Sequence, residues 1–113
     1  MTLAEIRRYA LSLPEATEAP HFERTSFRVR NKIFVTAHPS EGHIHVFLPE
    51  EYREPALAMH PAHFQKLLWG GKVVGLRVKL ERAPVGATRE LIRFAWQSKA
   101  PGSLFREKQA GRS

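Results

Sequence analysis

Histidine is the residue type in this chain with the widest chemistry, and six histidines are present. His43 and His45 lie two positions apart, so a β-strand would place both imidazoles on one face, while His60 and His63 lie nearly one helical turn apart. A catalytic zinc site needs three protein ligands. The chain has no Cys and no Asp, and neither pair has a Glu at a zinc-enzyme spacing. We therefore expect no metal and no cofactor, and histidines at the surface or at the rim of a cleft.

Nucleophiles and phosphate-binding loops are poorly supported as well. No serine lies in a Gly-x-Ser-x-Gly context, and no cysteine is available as a nucleophile. Gly70-Gly71-Lys72 resembles the end of a P-loop, but Val73 follows where a P-loop has Ser or Thr. Such a loop can still contact a phosphate through its backbone N–H groups. We expect a protein that is not an enzyme, with a Glu–His pair assembled in space as the remaining alternative.

The basic residues indicate a different kind of function, because the formal net charge is +7. Residues 61–113 contain eleven Lys and Arg against three Glu, whereas residues 1–60 contain seven against eight. A basic half is typical of proteins that bind a polyanion such as DNA, and the alternative is a solvated surface. The candidate nucleic-acid contacts are Arg28, Arg30, Lys32, Lys72, Arg77 and Lys79. A third basic group is Arg82, Arg89 and Arg93.

A second hypothesis is a protein- or small-ligand-binding module. Its candidate residues come from segments next to the predicted helices of residues 50–68: His43, His45, His63 and Trp69. A cleft between those helices and the predicted sheet would bring these side chains together. For the nucleic-acid hypothesis, Trp69 is a candidate platform for base stacking, and the alternative is an aromatic residue at the edge of the core. DNA binding requires exposed cations, whereas ligand binding requires an enclosed pocket, so the two hypotheses are distinguishable.

Period-two alternation predicts the strands that would position these residues. Phe27, Val29, Ile33 and Val35 alternate with polar residues, which predicts a β-hairpin with all four on one face. Keeping them on one face favours a three-residue turn, centred on Asn31. The predicted strands lie in residues 26–36, 43–48 and 74–81.

Capping residues and three-four spacing predict the helices. Thr2 and Glu5 have the form of a capping box, and Pro49 followed by two glutamates is typical of a helix start. The predicted helices cover residues 2–13, 49–59, 61–68 and 87–99. Residues 15–24 are polar and are predicted to form a connector.

The non-alternating order of these elements predicts an α+β domain, a mostly antiparallel sheet of four or five strands packed by helices. We expect one domain over residues 1–107, followed by a frayed basic tail at residues 108–113. The segment MTLAEIRRYALSL is amphipathic, and no stretch has the length of a membrane span. We therefore expect a cytoplasmic protein without a membrane partner, and the lack of cysteine suits a reducing compartment.

Four blocks of the sequence resemble the MmcQ/YjbR family: LSLPEATEAPHF, TSFRVRNKIFVTAHP, LPEEYREPAL and LIRFAWQSKAP. The F-R-V-R-x-K-I-F block and the A-W-x-x-x-A-P ending are the most specific parts. The resemblance implies a CyaY-like α+β fold with a double-wing arrangement of hairpins, and DNA binding. It implies no catalytic residues. This chain has Asn31 where the family often has Gly, and Gly75 where it often has an aromatic residue.

Overall fold

The structure is a computed structural model and describes residues 1–102 and residue 104. Its elements in chain order are α1 (Leu3–Ser12), β1 (Ala16–His21), β2 (Arg24–Val29), β3 (Lys32–Ala37), β4 (His43–Phe47), α2 (Glu50–Met59), β5 (Phe64–Trp69), β6 (Lys72–Lys79) and α3 (Val85–Lys99). The strands form one antiparallel sheet in the order β1-β2-β3-β4-β6-β5. The α+β prediction is confirmed, with six strands where four or five were expected. The predicted domain limit at residue 107 and the predicted tail at 108–113 lie outside the described residues.

The three helices named above pack on one face of the sheet. α1 contacts β1 and β2, α3 contacts β2, β3 and β4, and α2 contacts β5 and β6. The core lies between these layers and includes Phe27, Val35, Ile44, Val46 and Leu76. The opposite face, which we call the open face, carries no helix in the part of the chain that the structure describes. Strand pairing assigns these side chains to the open face: His21, Arg24, Ser26, Arg28, Ile33, Thr36, His43, His45, Phe47, Gln65, Leu67, Gly75, Arg77 and Lys79.

The predicted first and last helices are confirmed. Thr2 caps α1 and forms the predicted capping box with Glu5. Trp96 of α3 is fully buried, and its indole Nε1 donates to the carbonyl oxygen of Pro14 at 3.0 Å. This bond satisfies the one polar atom of the indole and holds the end of α1 against α3. Within the described range, no helix combines the length and hydrophobicity that crossing a membrane requires.

The predicted hairpin exists, but its predicted turn is wrong. The turn has two residues, Arg30 and Asn31, with φ angles of 50° and 67°, as a type I′ hairpin turn requires. A β-bulge shifts the register between Phe27 and Arg28, so the extra residue is accommodated within the strands. Ile33 therefore pairs with Arg28 on the open face, and Phe34, not Ile33, is fully buried.

Two segments were predicted wrongly because they form edge strands. Residues 15–24, predicted as a connector, contain β1, which pairs with β2 alone. Residues 61–68, predicted as a helix, enter β5, which pairs with β6 alone. The loop between β5 and β6 is a tight turn in which Gly70 and Gly71 have φ angles of 57° and 81°. Glycine adopts these angles without steric cost, so the two glycines close a hairpin.

We expect Gly75→Ala to destabilise the fold. A Cβ at this position would lie 2.0 Å from the carbonyl oxygen of Val46 and 2.9 Å from the Cα of Phe47, so β4 and β6 would have to separate. Overpacking costs about 1–3 kcal/mol, and a clash with backbone belongs at the upper end. Urea unfolding measures the change. The control is Gly42→Ala, whose Cβ would meet nothing within 4 Å. Equal stability of the two variants would contradict the close strand approach.

Candidate functional site

The open face carries an excess of positive charge. Its basic strand residues are Arg24, Arg28, Arg77 and Lys79, and none of the strand residues assigned to this face is acidic. Glu41, from the loop between β3 and β4, pairs with Arg24. Glu18 of β1 alternates to the helix side, where it binds Arg7 of α1. The strands therefore separate positive charge on one face from a compensated ion pair on the other.

Five side chains form a chain of hydrogen bonds across the open face. Arg24 donates from Nε to Thr36 Oγ1 at 3.2 Å and from Nη1 to both carboxylate oxygens of Glu41 at 2.8 and 2.6 Å. His43 Nε2 lies 3.1 Å from Glu41 Oε2, and Arg77 Nη2 lies 3.1 Å from His43 Nδ1. Because a guanidinium only donates, His43 accepts at Nδ1 and donates from Nε2 to Glu41. The chain connects β2, β3, β4 and β6.

The histidines of β4 are neutral at neutral pH because they are partly buried beside arginines. Burial lowers the pKa of His45 to about 4, and the positive charge of Arg24 adds to this effect. Burial also lowers the pKa of His43, with a further contribution from Arg77. The two imidazole rings stack with centroids 5.3 Å apart. Hydrogen bonding from Arg24 lowers the pKa of Glu41, so this carboxylate is ionised.

Glu41, His43 and His45 form the cluster with metal-ligand spacing in the described part of the chain. One ligand atom from each lies within 4.8 Å of the others. Arg24 already occupies both oxygens of Glu41, and Arg77 occupies Nδ1 of His43. A divalent cation would have to displace these contacts and bind beside two guanidinium charges. The electrostatics of this cluster favour an anion over a cation.

A pocket of about 580 Å³ opens on the same face, and we call it the open-face pocket. Its apolar lining is Phe22, Ile33, Phe47, Leu67, Leu68 and Trp69, and its polar lining is His21, Arg24, Thr36, His45 and Lys99. Phe22, in the turn between β1 and β2, is 92% exposed, and Trp69 is 76% exposed. The lining thus combines accessible aromatic rings with two cations and contains no carboxylate.

The predicted ligand-cleft residues divide between two places. His45 and Trp69 line the open-face pocket, whereas His43 and His63 line another depression of about 310 Å³, together with Arg77 and Lys79. The predicted location of the cleft is wrong, because residues 64–69 are a strand and α2 packs on the other face of the sheet. A groove of about 150 Å³ between α2 and α3 contains His60 but none of the four predicted ligand residues.

The predicted nucleic-acid contacts at the β2–β3 hairpin are largely engaged in hydrogen bonds. Arg28 donates to Ser26 Oγ at 2.8 Å and to the carbonyl oxygen of Pro20 at 3.3 Å. Arg30 forms two bonds with the carboxylate of Glu15, at 2.7 and 2.8 Å. Lys32 is exposed at the start of β3 and has no ion pair within the described residues.

The predicted contacts on β6 keep their charge uncompensated. Lys72, Arg77 and Lys79 are exposed and have no carboxylate partner in residues 1–102 or residue 104. The β2–β3 and β5–β6 turns lie at the same end of the sheet, because the antiparallel pairings make β2, β4 and β5 run in one direction. The structure thus places Lys72 at the same sheet end as Arg30 and Lys32, and Arg77 and Lys79 on the open face.

Among the residues of this site that sequence reasoning missed are Arg24, Glu41, Phe22 and Lys99. Arg24 lies four residues before Arg28, so the two side chains share one face of β2. Starting the predicted strand two residues earlier, at residue 24, would have placed Arg24 on the open face. Glu41 becomes relevant only through Arg24, which is 17 residues away in sequence. Phe22 is an isolated apolar residue in a polar segment, and Lys99 ends a helix, so neither carries a sequence signal for this pocket.

These features define a class: a small α+β protein with helices on one face of its sheet and a cationic, aromatic surface on the other. The family model YjbR matches residues 11–98, so the chain belongs to the YjbR family. Its fold is similar to that of Deinococcus radiodurans protein DR2400, a DUF419 protein, with a TM-score of 0.73 and 19% identity over 84% of this chain and 75% of that one. No curated protein matches the sequence.

We expect stability to fall as the pH is lowered from 6.5 toward 4. The pKa of His45 is about 4 in the folded chain against 6.5 as its ordinary value, so the unfolded chain takes up the proton first in this window. His45→Gln removes this group and should flatten the pH dependence. Urea midpoints across the window measure it. The control is His63→Gln, which lies outside the chain of hydrogen bonds on the open face. If His45→Gln leaves the pH dependence of stability unchanged, His45 is not its cause.

Proposed function

We propose that this protein is a small, non-enzymatic, cytoplasmic DNA-binding protein that holds the phosphate backbone on its open face. The observation that carries the proposal is the charge asymmetry of the sheet: the open face has basic strand residues and no acidic ones. Arg77 and Lys79 are exposed there without a carboxylate partner in the described chain. Contacts from such residues to phosphates release counterions, so the affinity depends on salt and carries little sequence information.

The aromatic residues of the open face extend this proposal to single strands. Phe22 and Trp69 expose most of their surface next to basic side chains. Unpaired bases stack on such rings, whereas a duplex offers only its phosphates to the same surface. We therefore expect a single strand to bind at least as tightly as a duplex of the same length.

The hairpin tips have a secondary role in this proposal. Both tips lie at one end of the sheet, and in this proposal they act as the two wings that the family resemblance implies. Glu15 compensates the charge of Arg30, so Lys32 and Lys72 are the tip residues best placed to contact flanking phosphates. The tips would add affinity at the edges of a surface centred on the sheet.

The second candidate function is small-ligand binding, and the open-face pocket is the observation that favours it. Its volume of about 580 Å³ is of the size that small-molecule sites have. Its lining of aromatic and aliphatic side chains with a few polar groups also fits such a site. A ligand that binds only the folded chain would raise the melting temperature by mass action.

We expect the double substitution Arg77→Gln/Lys79→Gln to weaken DNA binding. It should also reduce the slope of log affinity against log salt by about two, because each lysine or arginine that contacts a phosphate contributes about one to that slope. Fluorescence anisotropy with a labelled single strand and a labelled duplex of random sequence, at three salt concentrations, measures the slope. No binding by the unmodified protein at low salt would refute the proposal.

Two matched variants, each removing two charges, locate the surface. Arg30→Gln/Lys32→Gln tests the hairpin tip and should change the slope less than the Arg77/Lys79 pair. Arg89→Gln/Arg93→Gln removes charges from α3 on the helix side, where the two guanidinium groups lie over Tyr9 and Phe94. This pair should leave the slope unchanged. An equal effect of all three pairs would contradict a defined open-face site, and a dominant tip effect would move the site to the wing.

A further inference from the structure

The composition of the open-face pocket restricts the kind of ligand that it can bind. Six of its lining side chains are apolar, and Arg24 and Lys99 are its two cations. Glu41, outside the lining, pairs with Arg24, and no carboxylate lines the pocket beside Lys99. A ligand that fills this space therefore needs an apolar body, and it gains most from a negative charge at the Arg24 side.

Arg24 is held in place with part of its hydrogen-bonding capacity unused. Its Nε bonds to Thr36 and its Nη1 to Glu41, which fixes the plane of the guanidinium. Its Nη2 is shielded from solvent and has no hydrogen-bond partner in the described residues. Buried donors of this kind are satisfied in most proteins. A group entering the pocket beside Arg24 would supply the missing acceptor after a small side-chain adjustment.

We propose that the open-face pocket binds a small organic anion with a flat apolar body and one carboxylate or phosphate group, with the anionic group at Arg24 and the body against the apolar lining, which includes Phe47 and Trp69. The Nη2 of Arg24 would donate to an oxygen of this group, and such a charge-assisted hydrogen bond is stronger than a neutral one. The inference rests on the second candidate function, and it names the ligand class for that site.

The groups around Arg24 make an anion acceptable there. Its neighbours are the neutral His45, the hydroxyl of Thr36 and the ionised Glu41. Glu41 is the one negative group at Arg24 in the described structure, and an incoming anion competes with it for the guanidinium. Replacing Glu41 by glutamine should therefore tighten anion binding, which an ordinary apolar pocket would not show.

Three probes with one ring system separate the contributions: naphthoate, naphthyl phosphate and the uncharged naphthamide. Titration followed by ¹H–¹⁵N correlation spectra gives each Kd. The indole signal of Trp69 should shift, and that of the buried Trp96 should not. We expect one anion at least to bind about tenfold more tightly than the amide, a difference of about 1.4 kcal/mol. The better of the two anions identifies a carboxylate or a phosphate ligand.

Substitutions then test the role of Arg24. Arg24→Gln should abolish the preference for the anions, whereas Arg7→Gln, which breaks the matched ion pair with Glu18 on the helix side, should keep it. If Arg24→Gln does not fold, the Glu41→Gln variant tests the role of Arg24 instead. It leaves Arg24 in place, and removing the competing carboxylate should increase the affinity for the anions. A preference that survives Arg24→Gln, or an anion affinity that Glu41→Gln does not raise, would overturn the inference.

The same titrations separate the failure of this inference from the failure of small-ligand binding. Equal affinity for the amide and both anions would overturn the anion assignment and leave the pocket as an apolar ligand site. No shift of Trp69 with any probe would overturn ligand binding at this pocket altogether. Both results are independent of the DNA measurements, in which Arg77 and Lys79 are the residues changed.

Discussion

Burial of one face of the sheet is the constraint on which the rest of this structure depends. The three helices supply apolar side chains to one side of the strands, so most alternate residues of the four inner strands are fixed in the core. A register slip of one residue would exchange Val46 for His45 and Leu76 for Arg77, which makes the register strongly specified. Most of the alternate positions face solvent or the open-face pocket, so they can carry charged and imidazole side chains that would be destabilising in the core.

The same constraint explains which elements could be predicted. In β4 and β6, apolar and polar residues alternate, because each strand is paired on both sides and covered by helices on one face. Their sequences therefore carry a clear period of two. β1 and β5 are edge strands: β1 contains no fully buried residue, and β5 has Phe64 alone. Without buried positions there is no hydrophobic alternation to detect, and the apolar residues of β5 fit a helix equally well. The Gly70–Gly71 pair was the remaining signal for a hairpin.

The site was predictable residue by residue but not as an arrangement. Alternation alone places His43 with His45, and Arg77 with Lys79, on solvent-facing sides of their strands. Which of these groups meet depends on strand order, because β6 pairs with β4 and brings Arg77 to His43 from 34 residues away. The bulge that turns Ile33 to the open face is likewise a consequence of tertiary packing, since the burial of Phe34 requires it.

The cations of the open face differ in their exposure to mobile salt ions. DNA binding and small-anion binding on this face should therefore differ in their dependence on salt concentration. Arg77 and Lys79 are exposed, so salt reduces their attraction for a polyanion over a distance of about 8 Å at physiological ionic strength. Arg24 is mostly buried, fixed by Thr36 and Glu41, and shielded from mobile ions. Its interaction with a bound anion would therefore respond weakly to salt and strongly to the charge of Glu41. A surface for DNA and a pocket for a small anion can share one sheet face because they draw on different arginines in different dielectric surroundings.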